Sequence, residues 1–191
     1  MLVAVPTDRK ERFLTAAGAR VDTSDVAALV RAAQAGRRDA FGALYERFAG
    51  YVYAILVVRI PAQEAADLVQ DVFLRALERI GSLREPAAFA GWLAAIARNS
   101  ATDLRRRPPM TDELPDTPAV AIDPHVRLDA RRAIEAIRRL PDAYRETLAL
   151  RFVQGLTGPE IAKMTGLTPE SVRVNLSRGF KLLRAELGLE P

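Results

Sequence analysis

LTGPEIAKMTGLTPESVRVNLSRGFKLL, residues 156–183, has the spacing of two short helices around a tight turn, and the rest of the chain is read outward from it. Thr157 is placed to cap the first helix, with Pro159 in its first turn and Glu160 three residues on, the pattern of a capping box. Ile161 and Met164 form its inward face, and Ala162 is small where two helices must cross closely. Gly166 supplies the left-handed backbone that a tight inter-helix turn demands, and Leu167 is expected to plug the corner. A second helix starts at Thr168, with Pro169 as its first helical residue and Glu170 favourable at the positive end of the dipole. Val172, Leu176, Gly179 and Leu183 recur at steps of four, three and four and therefore face inward. Ser171, Arg173, Val174, Asn175, Arg178 and Lys181 point outward. A helix furnished in this way suits the major groove of duplex DNA: Asn pairs bidentately with adenine, Arg with guanine, and Val174 fits a thymine methyl group.

Composition narrows the alternatives. The chain has 191 residues, 49% of them hydrophobic, enough for one or two real cores. With no cysteine and a single histidine, His125, it offers no disulfide framework, thiolate metal site or cysteine nucleophile. No glycine-rich phosphate loop is present and the carboxylates fall on solvated faces, so neither a catalytic centre, a metal nor a cofactor is expected. No apolar run is long enough for a membrane span, and the N-terminus lacks the apolar core of a signal peptide, which makes the cytoplasm the expected location. A formal charge of +4 is compatible with a polyanionic partner but modest.

The charge is unevenly spread. Residues 1–23 mix Pro, Gly, Thr and charges without period and read as a flexible N-terminal arm. Ser24 then opens a helix carrying Val26, Leu29 and Val30 that ends near Gly36. A longer helix from about Arg38 turns Phe41, Leu44, Tyr45, Phe48, Val52, Ile55 and Leu56 inward and is stopped by Pro61. From Gln63 to Ile80, the apolar set Leu68, Val69, Val72, Phe73, Ala76, Leu77 and Ile80 predicts an amphipathic helix ended by Gly81. A loop over 81–85 leads to a helix beginning near Pro86, with Phe89, Trp92, Leu93, Ile96, Ala97 and Leu104 apolar, and finishing in Arg105, Arg106 and Arg107. Phe89 and Trp92 read as core. Residues 108–125 hold five prolines, four acids and no Lys or Arg, an acidic linker between basic domains at 24–107 and 126–191. Helices at 126–139 and 142–152 precede the helix-turn-helix. No segment sustains period two. The expected fold is all-α, two small helical domains on a flexible linker.

The runs ADLVQDVFLRAL (66–77), FAGWLAAIARNSATDLRRR (89–107) and LPDAYRETLALRFVQGLTGPEIAKMTGLTPESVRVNLSRGFKLLRAEL (140–187), in this order and with an acidic linker between, resemble regions two and four of bacterial RNA polymerase sigma factors of the extracytoplasmic-function class. The resemblance implies a subunit that binds core RNA polymerase and directs it to promoter DNA. The C-terminal domain would read the −35 element through Thr168, Ser171, Arg173, Val174, Asn175, Arg178 and Lys181. The N-terminal domain would read the −10 element through Ser82, Leu83, Arg84, Arg98, Asn99, Asp103, Arg105 and Arg106, with the loop at 81–85 receiving a flipped base.

Asp67, Gln70, Asp71 and Arg75, a polar stripe opposite the apolar one, become by the same resemblance the contact with the clamp helices of the polymerase's largest subunit. The family also implies an anti-sigma factor as partner. Four positions depart from its pattern: Ala66 where an acid is frequent, Val174-Asn175 where many relatives carry Ser-Arg, and Phe180 where a basic residue is usual. The promoter sequence therefore does not carry over. From the residues alone, a helix-turn-helix regulator working without polymerase remains the alternative.

Overall fold

The computed structural model describes residues 23–106 and 124–189; the arm before them, Arg107 and the linker as far as Asp123 lie outside the described residues, while Pro124 and His125, expected in the linker, open a helix instead. Eight α-helices and two single 3-10 turns make up the described residues, with no strand among them. Helices α1 (Thr23–Gln34), α2 (Arg38–Val57), α3 (Ala62–Arg79) and α4 (Phe89–Arg106) form an N-terminal bundle. Helices α5 (Pro124–Arg139), α6 (Asp142–Gln154), α7 (Gly158–Thr165) and α8 (Pro169–Glu186) form a C-terminal one.

The N-terminal bundle is built on aromatic packing. Phe73 lies edge-on to Tyr45 and Phe41, with centroids 4.7 and 6.2 Å away, which fastens α3 to α2. Phe48 packs edge-on against Phe89 at 5.1 Å, and Phe89 lies 5.8 Å from Trp92; Phe89 is core as expected, while Trp92 is half-buried against it. Gly36, at φ +87°, ends the turn after α1, and Arg47 reaches Asp25 at 2.8 Å to tie α1 to α2.

Four local expectations are corrected. Leu77 is half exposed at 49%, because each i+4 step from Val69 through Phe73 rotates about 40° round the helix and carries Leu77 off the apolar stripe. Helix α3 ends at Arg79 and passes into a 3-10 turn, Ile80–Ser82, in which Gly81 does not take positive φ. Pro86 starts a separate turn, Pro86–Ala88, capped by the Glu85 carboxylate, and the helix proper begins at Phe89. Helix α2 buries Phe48 to Val58 on every side except Tyr53, rather than along one stripe; a helix apolar all round belongs between two layers.

The helix-turn-helix forms as its local chemistry dictates. The Thr157 amide donates to Glu160 Oε2 at 2.8 Å in a capping box. Gly166 caps α7 at φ +74°, and Thr168 Oγ1 accepts from the Ser171 amide at 3.1 Å to start α8. Val172, Gly179 and Leu183 are buried and Leu176 is half-buried. A Cβ on Gly179 would stand 3.0 Å from Leu148 Cδ1, so glycine permits the close crossing of α8 on α6. Leu167 is 40% exposed and does not plug the corner, while Met164 and Val172 on the flanking helices are buried. Because Gly166 needs positive φ, Gly166→Val is expected to cost about 2 kcal/mol, read as a lower denaturant midpoint with an unchanged slope.

Candidate nucleic-acid interface

Helix α8 exposes four of the six residues expected on its outer face, with Ser171 and Asn175 half-buried. Arg173, Val174, Arg178 and Lys181 are exposed and Asn175 is half-buried, while Thr168 and Ser171 spend part of their hydrogen-bonding capacity on the helix cap, Oγ to Oγ at 2.9 Å. Arg173, Val174, Ser177 and Arg178 line a shallow open groove of about 300 Å³. Val174, 39% exposed, is an apolar spot between two guanidinium groups, a surface that can meet both a thymine methyl and acceptor edges. Phe180, half-buried, lies edge-on to Phe152 at 5.5 Å and serves packing.

On the N-terminal bundle, Asn99, Asp103 and Arg106 recur at i, i+4 and i+7 and are all exposed on one face of α4, with Arg105 also exposed. Asp103 lies 3.6 Å from Arg75, which also donates to Ser100 Oγ at 3.1 Å. Arg75 is therefore turned toward α4 and away from Asp67 and Asp71, which stand exposed one turn apart on α3 beside half-buried Gln70. Leu74, 59% exposed, extends that α3 surface with an apolar residue the sequence reading left out.

The loop after α3 is fixed from an unexpected direction. Gln34, the last residue of α1, donates through Nε2 to the carbonyls of both Ile80 (2.9 Å) and Leu83 (2.8 Å). Ser82 donates to the Arg79 carbonyl at 2.7 Å, and Ser82 and Arg84 are exposed while Leu83 is half-buried. Gln34 carried no signal in sequence, since its partners lie 46 and 49 residues away.

Arg98 occupies a different setting from its neighbours. It donates to both oxygens of Glu146 on α6, at 3.0 and 3.1 Å, and Glu146 also receives Arg59 at 2.8 Å. This carboxylate is 14% exposed and joins the two bundles. Nearby, the Tyr51 hydroxyl donates to the Met164 carbonyl at 3.1 Å, and burial, with the Glu146 charge next, pushes its pKa well above the usual phenol range. Arg138 of α5 donates to the Val57 carbonyl at 2.9 Å and to the Ile60 carbonyl, satisfying the C-terminal end of α2. The bundles thus meet through ionic and capping contacts beside a continuous apolar core, to which Ile137, Leu148 and Ile161 contribute from the C-terminal bundle, and this shared core accounts for the all-round burial of α2.

Comparison with known proteins agrees with this geometry. Residues 44–108 match the family model described as Sigma-70 region 2, and residues 130–183 match Sigma-70, region 4. The chain is 34% identical over 173 residues to the ECF RNA polymerase sigma factor BldN of Streptomyces coelicolor, covering 85% of this chain and 66% of BldN. It is 34% identical over 164 residues to the RNA polymerase sigma factor CarQ of Myxococcus xanthus, covering 80% of this chain and 92% of CarQ. Among solved structures, CnrH in complex with the cytosolic domain of CnrY superposes with a TM-score of 0.63 at 25% identity, over 87% of this chain and 99% of that one. With both sigma regions matched in order and a relative matched over nearly its whole length, the chain belongs to the sigma-70 family of RNA polymerase sigma factors, in its extracytoplasmic-function class.

Proposed function

We propose that this chain directs core RNA polymerase to specific promoters and assists their melting. The supporting observation is the pairing, on one chain, of region 2 and region 4 sequence with exposed Arg173, Val174 and Arg178 beside half-buried Asn175 on the second helix of a capped helix-turn-helix. In this reading the module at 126–191 contacts the −35 element through Thr168, Ser171, Arg173, Val174, Asn175, Arg178 and Lys181. The module at 24–107 contacts the −10 element through Ser82, Leu83, Arg84, Arg98, Asn99, Asp103, Arg105 and Arg106. Capturing an extruded base on the loop lets binding energy, without ATP, bias strand separation, since extraction costs only a few kcal/mol. Asp67, Gln70 and Asp71 form the contact with the clamp helices of the polymerase, and Arg75 braces that helix against α4.

No described helix is long and apolar enough to cross a membrane, in keeping with work in the cytoplasm. An anti-sigma factor is the proposed regulatory partner, a reading supported by a likeness to CnrH, whose solved form holds the cytosolic domain of CnrY.

The function has a geometric consequence. Elements centred at −35 and −10 are about 25 base pairs apart, or about 85 Å at 3.4 Å per pair. A compact body of about 150 residues is only about 40 Å across. The two bundles must therefore part to reach both elements, and the Arg59–Glu146–Arg98 bridge is among the contacts that break.

Binding of the holoenzyme to promoter fragments carrying each base at each −35 position tests the division of labour on α8. Arg173→Ala and Asn175→Ala are each expected to lose about 1–3 kcal/mol of discrimination at one position. Lys181→Ala is expected to weaken all sequences alike and to lower the salt dependence by about one phosphate. Equal losses across all positions for the three variants would contradict the assignment.

A further inference from the structure

We propose that Gln34 is a positioning residue for the −10 loop: its side-chain amide, reaching from the end of α1, sets the backbone on which Ser82, Leu83 and Arg84 are displayed. This rests on the reading of that loop as a −10 contact. One NH₂ group donates to two carbonyls, those of Ile80 and Leu83, at 2.9 and 2.8 Å, which bracket Gly81 and Ser82. The Ile80 carbonyl also accepts the Leu83 amide at 3.1 Å, closing the 3-10 turn, so the same oxygen carries both the local and the long-range bond. With both carbonyls drawn inward, Ser82 and Arg84 are left exposed and Leu83 is half-buried against the bundle.

The chemistry favours positioning over mere bracing. Gly81 lends no stiffness of its own, and the turn is a single 3-10 unit of three residues. Without the amide, two carbonyls would need water in place of a fixed donor, and the loop would sample several backbone states. A pocket for an extruded base gains its selectivity from donors and acceptors held within tenths of an ångström, and ordering a loose loop on binding cancels affinity gained from contact. Gln34 has the two properties this requires: it is a donor, and it is anchored on a helix whose Val26, Val30 and Ala33 are buried in the core.

The test uses core polymerase reconstituted with the full chain and promoter fragments bearing each of the four bases at every nontemplate −10 position, with −35 variants as the internal control. Gln34→Ala removes the donor. Gln34→Glu keeps the shape and turns a carboxylate onto two carbonyls, and Gln34→Lys keeps a donor on a similar stem. The expected result is a loss of about tenfold in base preference at one −10 position for the Ala and Glu variants, with −35 preference unchanged and preference largely kept by the Lys variant. Thermal unfolding of each variant is measured alongside, because a purely structural role would lower −35 and −10 binding together and would overturn the proposal. If Ser82→Ala or Arg84→Ala flattens −10 preference while all three Gln34 variants keep it, the loop reading survives and the role of Gln34 does not. If neither set changes −10 preference, the loop reading fails and the proposal falls with it.

Discussion

Glu146→Ala is expected to loosen the free chain, increasing its radius of gyration in solution scattering and lowering its stability by about 2–4 kcal/mol. The reason is asymmetry. Glu146 is 14% exposed and balances two cations, Arg59 at 17% and Arg98 at 43%. Removing the carboxylate leaves the largely buried Arg59 guanidinium without its counter-charge, held only by the Ile55 carbonyl, which costs more than the intact bridge contributes. Arg98 is far enough in solvent to recover hydration, so the cost should fall below that of a fully buried pair. Because the bridge spans the two bundles, the effect should concentrate on their association. Amide exchange should rise along α6 and the C-terminal half of α2 before it rises in the aromatic core. The opened chain should also expose Arg98, so Glu146→Ala holoenzyme should assemble on promoter DNA at least as readily as the wild type. An unchanged radius together with unchanged stability would show that the bridge does not hold the bundles together.

Phe48→Ala should be costlier still, about 3–5 kcal/mol, measured by denaturant unfolding. Phe48 is 1% exposed, and its ring meets Phe89 at 5.1 Å and Tyr51 at 6.2 Å, both edge-on. Truncation removes two aromatic contacts as well as buried area, and a cavity between α2 and α4 is not easily refilled by side chains fixed on two helices. Since α2 also carries the Val57 carbonyl that Arg138 caps and the hydroxyl of Tyr51, loss of its packing should weaken the C-terminal bundle's attachment as well. A cost under about 1 kcal/mol would mean that the N-terminal core relaxes around the gap.

What the sequence disclosed, and what it hid, divides by range. Thr157 with Glu160, Gly166 and Thr168 act within four residues, so their capping and turn roles are written in local spacing and recur in the structure. Val172, Gly179 and Leu183 were legible as an inner face because a helix repeats every 3.6 residues. Leu77 was misjudged for the same reason in reverse, since a run of i+4 steps drifts away from the stripe. Gln34, Arg59, Glu146 and Arg138 owe their roles to partners at least 46 residues distant, although Arg59 also donates to the Ile55 carbonyl and Arg138 to Glu135 within one helical turn. Their side chains are polar residues on helix surfaces, which sequence alone assigns to solvent. The all-round burial of α2 follows from that same unseen interface. Of the candidate promoter contacts, Asn99, Asp103, Arg106, Arg173, Arg178 and Lys181 are exposed where an outward face was expected. Arg98 and Arg75, by contrast, are turned to carboxylates on other helices.

The most direct test is reconstituted run-off transcription with purified core RNA polymerase, this chain, and a library of promoter fragments from the genome that encodes it. The expected result is a set of discrete transcripts that appear only when the chain is added, start downstream of shared −35 and −10 sequences, and vanish with Asp67→Arg combined with Asp71→Arg. Failure of the chain to associate with core polymerase, or initiation that is the same with and without it on every fragment, would contradict its assignment as a promoter-specificity subunit.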